Sequence, residues 1–299
     1  MKGNKKIPLI NICSLQKEEH KDKDDLIIEP FAAYLERHPN LLIPHRHSFY
    51  HIVLFTSGKG FHTIDFEQFT LRKGQIYFMI PGQVHSWQFE KDVDGYVLNC
   101  SEAFLSAVLR NDQYIEQFPF LEGIAGNSVI DLPPTIAKDA AALLHTILEE
   151  DQQKQTLFTD MQRIKLLELF ILVNRNVAMP ATEIAARNND LVIRNFRKLV
   201  AQHYAPLKLP KEYAALLYIT PNHLNALCND LLGKPAGEVI RDRILLEAKR
   251  LLINADMSIS EIAWQLNFAD NSYFTKFFKK QAGITPEAFR KSILEQIQK

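Results

Sequence analysis

Four histidines crowd one short stretch and a later phrase: His45, His47 and His51, then His85. A neutral imidazole is a good ligand for Zn, Fe, Ni or Cu, and an equally good hydrogen-bond partner for a small organic molecule. In an extended strand the two-residue spacing of His45 and His47 points both rings to one side. A second chemistry lies near the other end of the chain. Asn222, His223 and Asn225 open one segment of helical periodicity, and Asn271, Ser272, Thr275 and Lys276 open another that continues into Lys279 and Lys280. Amides, hydroxyls and cations at the start of an exposed helix match the donors and acceptors on base edges in a major groove, while lysines neutralise phosphates.

The elements that must hold this second set are written twice. With Thr220 set over Asp270, Leu224 aligns with Phe274, Leu227 with Phe277, Cys228 with Phe278 and Gly233 with Gly283. Upstream, Glu212-Tyr213-Ala214 matches Glu261-Ile262-Ala263 and Leu217 matches Leu266, at an offset one residue shorter. Each copy reads as helix, tight turn, helix. Ser258 and Glu261 form a capping-box pattern, Asn267 tolerates the left-handed turn, and Asp270 caps the next helix, which Gly283 stops. In the first copy Thr220 is the cap, Pro221 occupies the first turn and Gly233 is the stop. The stripes Leu224, Leu227, Cys228, Leu231 and Phe274, Phe277, Phe278 are expected to be buried. Residues 235–254 read as one connecting helix of about 30 Å, close to the roughly 34 Å turn of B-DNA.

These phrases resemble the AraC/XylS family of bacterial transcription regulators. The likeness runs from about Leu209 to Ser292 and is carried by Ile259-Ser260-Glu261-Ile262-Ala263, by Asn271 to Lys280, and by Gly283-Ile284-Thr285-Pro286-Glu287-Ala288-Phe289-Arg290. It implies a tandem helix-turn-helix that binds double-stranded promoter DNA and acts, usually by activation, through RNA polymerase. Asn267 stands where the family usually has Gly. Ala226 replaces a frequent Arg, and Cys228-Asn229-Asp230 replaces an aromatic with following basic residues. The second copy is therefore expected to anchor phosphates through Lys276, Lys279 and Lys280, with weaker contacts from the first.

The N-terminal part has another grammar. Short β-rich runs at 50–56, 60–65, 69–71, 75–80, 84–89 and 95–99 are punctuated by glycines and Pro81-Gly82, the pattern of a small all-β sandwich or barrel. From His45 to Trp87 the phrases Pro44 to His51, Ser57 to Gly60 and Ile80 to Trp87 resemble the cupin-like sensor domain that precedes the DNA-binding half in many AraC-type chains. The resemblance implies a small-molecule effector, with a sugar or sugar-derived metabolite the preferred class. His45, His47, His51, His62, Tyr77, His85 and Trp87 are the candidates to contact it, with Arg46 placed to pair a carboxylate or phosphate. Metal-binding cupins use two His, a Glu and a third His. Here His51 stands at the carboxylate position and the second phrase is shifted, so no metal or other cofactor is expected, and a site of His45, His47, His51 and His85 stays open as the alternative.

The expected architecture is multidomain: a mobile lead over 1–30, charged over 17–25; an all-β cupin-like barrel over 31–130; a helical pair over 131–178; a linker over 179–190; and an all-α domain with two helix-turn-helix motifs over 191–299. Within the pair, helices over 135–149 and 157–173 are expected to mediate homodimerisation, as in relatives, or else to cap the barrel. Lys plus Arg and Asp plus Glu both number 35, but 17 basic against 12 acidic residues fall in 181–299, so the tail is basic. Cys13, Cys100 and Cys228 follow no metal or disulfide spacing, and there is no apolar leader or bilayer-length run, so a cytoplasmic protein without membrane association is expected. No Ser/His/Asp set or phosphate-binding loop suggests catalysis. Two alternatives remain: a metal-dependent cupin enzyme fused to a DNA-binding module, and a regulator that needs no effector.

Overall fold

The computed structural model describes residues 8–15, 25–108, 114–176, 184–253 and 257–297. They fall into two compact units, one within Pro8–Met179 and one within Pro180–Lys299.

Eight strands form the first unit's sheet: β1 (Leu9–Ile10), β2 (Leu26–Pro30), β3 (His45–His47), β4 (Tyr50–Ile64), β5 (Glu67–Thr70), β6 (Gln75–Met79), β7 (Val84–Cys100) and β8 (Val129–Asp131). They lie in the order β1-β3-β7-β4-β6-β8, with β2 also on β7 and β5 on β4. The path is open, a half-barrel built on the long β4–β7 ribbon. The sequence predicts four separate strands where β4 and β7 each run through, because it treats Gly60 and Gly95 as breaks. Both are bends. At Gly95 φ is 157° and a Cβ would stand 1.9 Å from the Leu54 carbonyl oxygen; at Gly60 φ is 143° and a Cβ would meet the Gln88 oxygen at 2.3 Å. The register shifts between Phe55 and Gly60 are bulges that curve the ribbon without ending it.

The expected N-terminal lead needs correcting. Leu26, Ile27 and Ile28 are buried, and β2 pairs along β7 from Cys100 to Tyr96. Residues 17–24 of the charged lead lie outside the described residues. Helix α1 (Phe31–Arg37) follows β2 directly and buries Phe31 and Tyr34.

Alternation along the strands gives the sheet two covered faces. Ile52, Leu54, Ile76, Phe78, Leu98 and Cys100 face one way. After α2 (Glu102–Val108) and α3 (Ala125–Ser128), this face is covered by α4 (Pro134–Gln153) and α5 (Phe158–Asn176), through Leu144, Ile147, Leu166, Leu169, Phe170 and Val173. The expected helical pair thus caps the sheet. The inner face carries Val53, Phe55, Tyr77, Met79, Trp87 and Val97 against Phe31, Tyr34 and Phe49.

The second unit is helical: α6 (Ile184–His203), α7 (Pro210–Leu216), α8 (Pro221–Leu232), α9 (Ala236–Leu252), α10 (Ile259–Gln265), α11 (Asn271–Ala282) and α12 (Pro286–Ile297). Helix α6 begins seven residues before the expected Leu191, so 184–190 are helix where a linker was expected; 177–183 lie outside the described residues. Helix α9 has 17 residues, about 25 Å, rather than the expected 20 or so. It touches α6, α7 and α8 of the first half and α10, α11 and α12 of the second, so the two halves share one core. Arg290 of α12 donates from Nε to the Leu252 carbonyl at 3.0 Å and from Nη2 to that of Met257 at 2.6 Å, which closes the end of α9. Among the described residues, no helix is long and apolar enough to cross a membrane.

Candidate functional site

The duplication holds at the level of individual hydrogen bonds. Thr220 Oγ1 accepts from His223 N at 3.2 Å and Asp270 Oδ1 from Tyr273 N at 2.7 Å, so α8 and α11 start alike. Gly233 and Gly283 end them at φ 68° and 81°. The helices before them, α7 and α10, end in the same double-bonded turn. Ile219 N donates to Ala214 O and Phe268 N to Ala263 O, both at about 3 Å, with Tyr218 and Asn267 between them at φ 55° and 54°. Four residues separate α7 from α8 and five separate α10 from α11, which is why the offset between copies changes by one. The capping box is formed: Ser258 N donates to Glu261 Oε2 at 2.6 Å, and Glu261 N to Ser258 Oγ at 3.1 Å.

On α8, Leu224, Leu227 and Cys228 are buried and Asn222 and His223 are exposed. Two residues depart from expectation. Leu231 is 43% exposed, beyond the reach of the stripe. Asn225 is half-buried and its Oδ1 accepts from Ala236 N at 3.0 Å, so its carbonyl is committed to fastening α8 to α9. On α11, Phe274 and Phe278 are buried and Phe277 is half-buried against Phe268, while Asn271, Ser272, Lys276, Lys279 and Lys280 are exposed. Thr275 is half-buried, with Oγ1 3.5 Å from Asn271 Oδ1. None of these three lysines is ion-paired among the described residues. Tyr273, also exposed, was hidden in the sequence among aromatics assigned to the core. Lys208 was equally illegible: its ammonium donates to the Asn267 carbonyl and sits 3.7 Å from the Phe268 ring centre, tying the first half to the turn of the second.

Within the half-barrel, five imidazoles meet on the inner side. His45 and His47 from β3, His51 and His62 from β4, and His85 from β7 are all buried. Register brings them together: His45 pairs with His85, Ile64 with His85, and His62 with Trp87. Ring centres lie 4.2 Å apart for His45–His85, 4.7 Å for His45–His47 and 4.6 Å for His47–His51. The Tyr77 ring lies tilted against His62 with ring centres 4.2 Å apart, and its hydroxyl accepts from Trp87 Nε1 at 2.9 Å. Arg46 alternates to the other face of β3 and leaves the group. Asn99, which the sequence did not single out, faces His51 from β7 and accepts from its Nδ1 at 2.6 Å. The Pro81-Gly82 turn that precedes His85 is braced from below: Gln83 Nε2 donates to Asp65 Oδ2 at 2.8 Å, and its Oε1 accepts from Ile80 N at 2.9 Å.

Burial keeps these rings neutral. Desolvation pushes His45 down to about 4, against a smaller opposing effect of its bond to Ile43, and His51 to about 3. It also holds His47, His62 and His85 well below the usual histidine range, reinforced by their mutual repulsion. A neutral imidazole has one donor and one acceptor nitrogen, so the cluster can recognise a hydroxyl-bearing ligand or present lone pairs to a cation.

Comparison with known proteins agrees with this division. Residues 30–167 match the AraC-like ligand binding domain, and residues 213–292 match a helix-turn-helix domain. The HTH-type transcriptional activator RhaR of Cronobacter sakazakii is 22% identical over 257 residues, 85% of this chain and 89% of that protein. RhaR of Escherichia coli O139:H28 is 21% identical over 272 residues, 90% and 95% of the two chains. Among solved structures, ToxT from Vibrio cholerae O395 is similar with a TM-score of 0.45 and 13% identity, over 91% of this chain and 99% of that one. With a sensor-type half-barrel in one unit and a duplicated helix-turn-helix in the other, each matched by its own domain family, this chain belongs to the AraC/XylS family of transcription regulators.

Proposed function

We propose that this protein is a sequence-specific transcription regulator, in activator mode through contact with RNA polymerase, controlled by a small molecule held in the half-barrel. The observation that carries the reading is the pair of matched helices α8 and α11. Each is capped, stopped and buried in the same way, and each is left with a polar outward surface. Asn222 and His223 of α8, and Asn271, Ser272, Thr275 and Lys276 of α11, read base edges; Lys279 and Lys280 bind phosphates. Asn225 contributes by holding α8 against α9. The effector contacts the inner cluster of His45, His47, His51, His62, Tyr77, His85 and Trp87, and a sugar-derived metabolite suits the hydroxyl-binding capacity of neutral imidazoles. A homodimer forms through the exposed stripe of Leu157, just ahead of α5, with Met161 and Ile164 in its first turns.

The test is fluorescence anisotropy of the full chain on a DNA site selected from a random library. Asn271→Ala with Lys276→Ala should weaken binding at least tenfold and reduce the salt slope by about one, with circular dichroism unchanged. Unchanged affinity would reject the assignment of α11.

A further inference from the structure

The hydrogen bonds of the inner histidines do not close on themselves. His45 Nδ1 lies 2.8 Å from the Ile43 carbonyl oxygen. A carbonyl only accepts, so Nδ1 carries the proton and the lone pair sits on Nε2. That Nε2 is buried with no hydrogen-bond partner among the described residues. His47 and His85 face each other through Nε2 at 3.5 Å, the outer limit for a hydrogen bond. Behind His85, its Nδ1 lies 3.1 Å from His62 Nε2, so a proton on Nδ1 donated to His62 turns the His85 Nε2 lone pair inward as well. Ligand atoms of His45, His47 and His85 all lie within 4.8 Å of one another. His51 sits beside them, its ring centre 4.6 Å from that of His47. Its Nδ1 is committed to Asn99 and its Nε2 has no protein partner among the described residues.

Buried acceptors without donors are uncommon in folded proteins, and a core needing only bulk would fill this space with apolar side chains. The lone pairs that their partners direct inward on His45 and His85, together with the facing Nε2 of His47, whose own Nδ1 has no partner among the described residues, suit a cation instead. A tetrahedral ion at about 2.0–2.1 Å from each nitrogen sets its ligand atoms about 3.4 Å apart. The His47–His85 separation of 3.5 Å already fits that edge, and His45 needs a shift of the order of 1 Å to complete the triangle. The outer contacts have the form that orients metal ligands: Ile43 O behind His45 and His62 behind His85 each take up the ring nitrogen turned away from the centre.

We propose that His45, His47 and His85 form a three-imidazole site for a divalent first-row transition metal, with His62 positioning His85 and His51 beside the open coordination position. Nitrogen-only imidazole donors select Zn(II), Co(II), Ni(II) or Cu(II) over Mg(II) and Ca(II). Three protein ligands leave a place for an exogenous oxygen donor, a water or an effector hydroxyl, whose proton His51 Nε2 can accept. The inference rests on reading the half-barrel as the sensory unit and names the chemistry of that site.

The experiment titrates Co(II) into the chelator-treated full chain and follows visible d–d absorption. One Co(II) per chain with tetrahedral bands, displaced by Zn(II) and not by Mg(II), is expected. His45→Gln or His85→Gln should weaken binding more than a hundredfold. His62→Gln should weaken it about 10–100-fold, and His145→Gln, on the outer helix α4, should leave it unchanged. Wild-type protein that takes up no Co(II) at micromolar concentration overturns the site whether or not the variants fold, as does binding that His45→Gln and His85→Gln leave intact. Anisotropy on DNA is read separately. Loss of the metal result with DNA binding preserved removes only this site; loss of DNA binding with metal bound removes the regulator reading.

Discussion

At the scale of single residues, the chain ends α7 in an unusual way. Tyr218 occupies the left-handed position of the turn at φ 55° with its ring 96% exposed, so it pays backbone strain without gaining packing. Asn267 fills the equivalent place in the second copy at less cost. Tyr218→Gly should therefore stabilise the helical unit by about 1 kcal/mol, read as a higher urea midpoint with unchanged slope; a lower midpoint would mean that the exposed ring makes contacts the fold needs. Caps and stops of this kind were legible because each depends on a few neighbouring residues, as at Thr220, Ser258, Asp270 and Gly283. Asn225, Lys208 and Asn99 were not, because what they do depends on partners 11 to 59 residues away.

At the scale of elements, the helices were read well and the strands only in part. The 3.6-residue stripe of α4, α5, α8 and α11 is a local signal. The length of β4 and β7 is set by partners across the sheet, so Gly60 and Gly95 looked like punctuation when they are bends. Helix α6 was read short because 184–190, rich in Ala, Arg and Asn, carry no apolar stripe of their own. Gly95 gives the ribbon a strong test. Its Cβ position is blocked by the backbone of the neighbouring strand at Leu54, which cannot move without breaking β4–β7 pairing. Gly95→Ala should cost about 3 kcal/mol or more and lower the thermal midpoint of the half-barrel by at least several degrees; a shift within error would show that the ribbon is not bent as described. Two expectations about elements fell away, the lead over 26–30, whose apolar residues pair and pack with β7 some seventy positions along the chain, and the linker over 184–190, which is the first part of α6.

At the scale of the whole molecule, two folding units with different patterning were evident from the sequence, and the domain matches follow the same division. The sequence left two roles open for the helical pair, dimerisation and capping, and the packing of α4 and α5 on the sheet accounts for capping alone. The stripe Leu157, Met161 and Ile164, between 40% and 70% exposed, distinguishes the two roles because capping leaves it unused. Ile164→Glu should convert a dimer to a monomer in sedimentation velocity with the thermal midpoint nearly unchanged; dimers that persist would place the interface elsewhere. The central claim is that the outward surfaces of α8 and α11 engage neighbouring major grooves, and hydroxyl-radical footprinting of the full chain on a selected site measures this most directly. The expected result is, for each bound chain, two protected patches on one face of the duplex, about one helical turn apart, with the patch assigned to α11 lost in the Asn271→Ala, Lys276→Ala variant. A single patch per chain, or protection that the α11 substitutions do not alter, would contradict it.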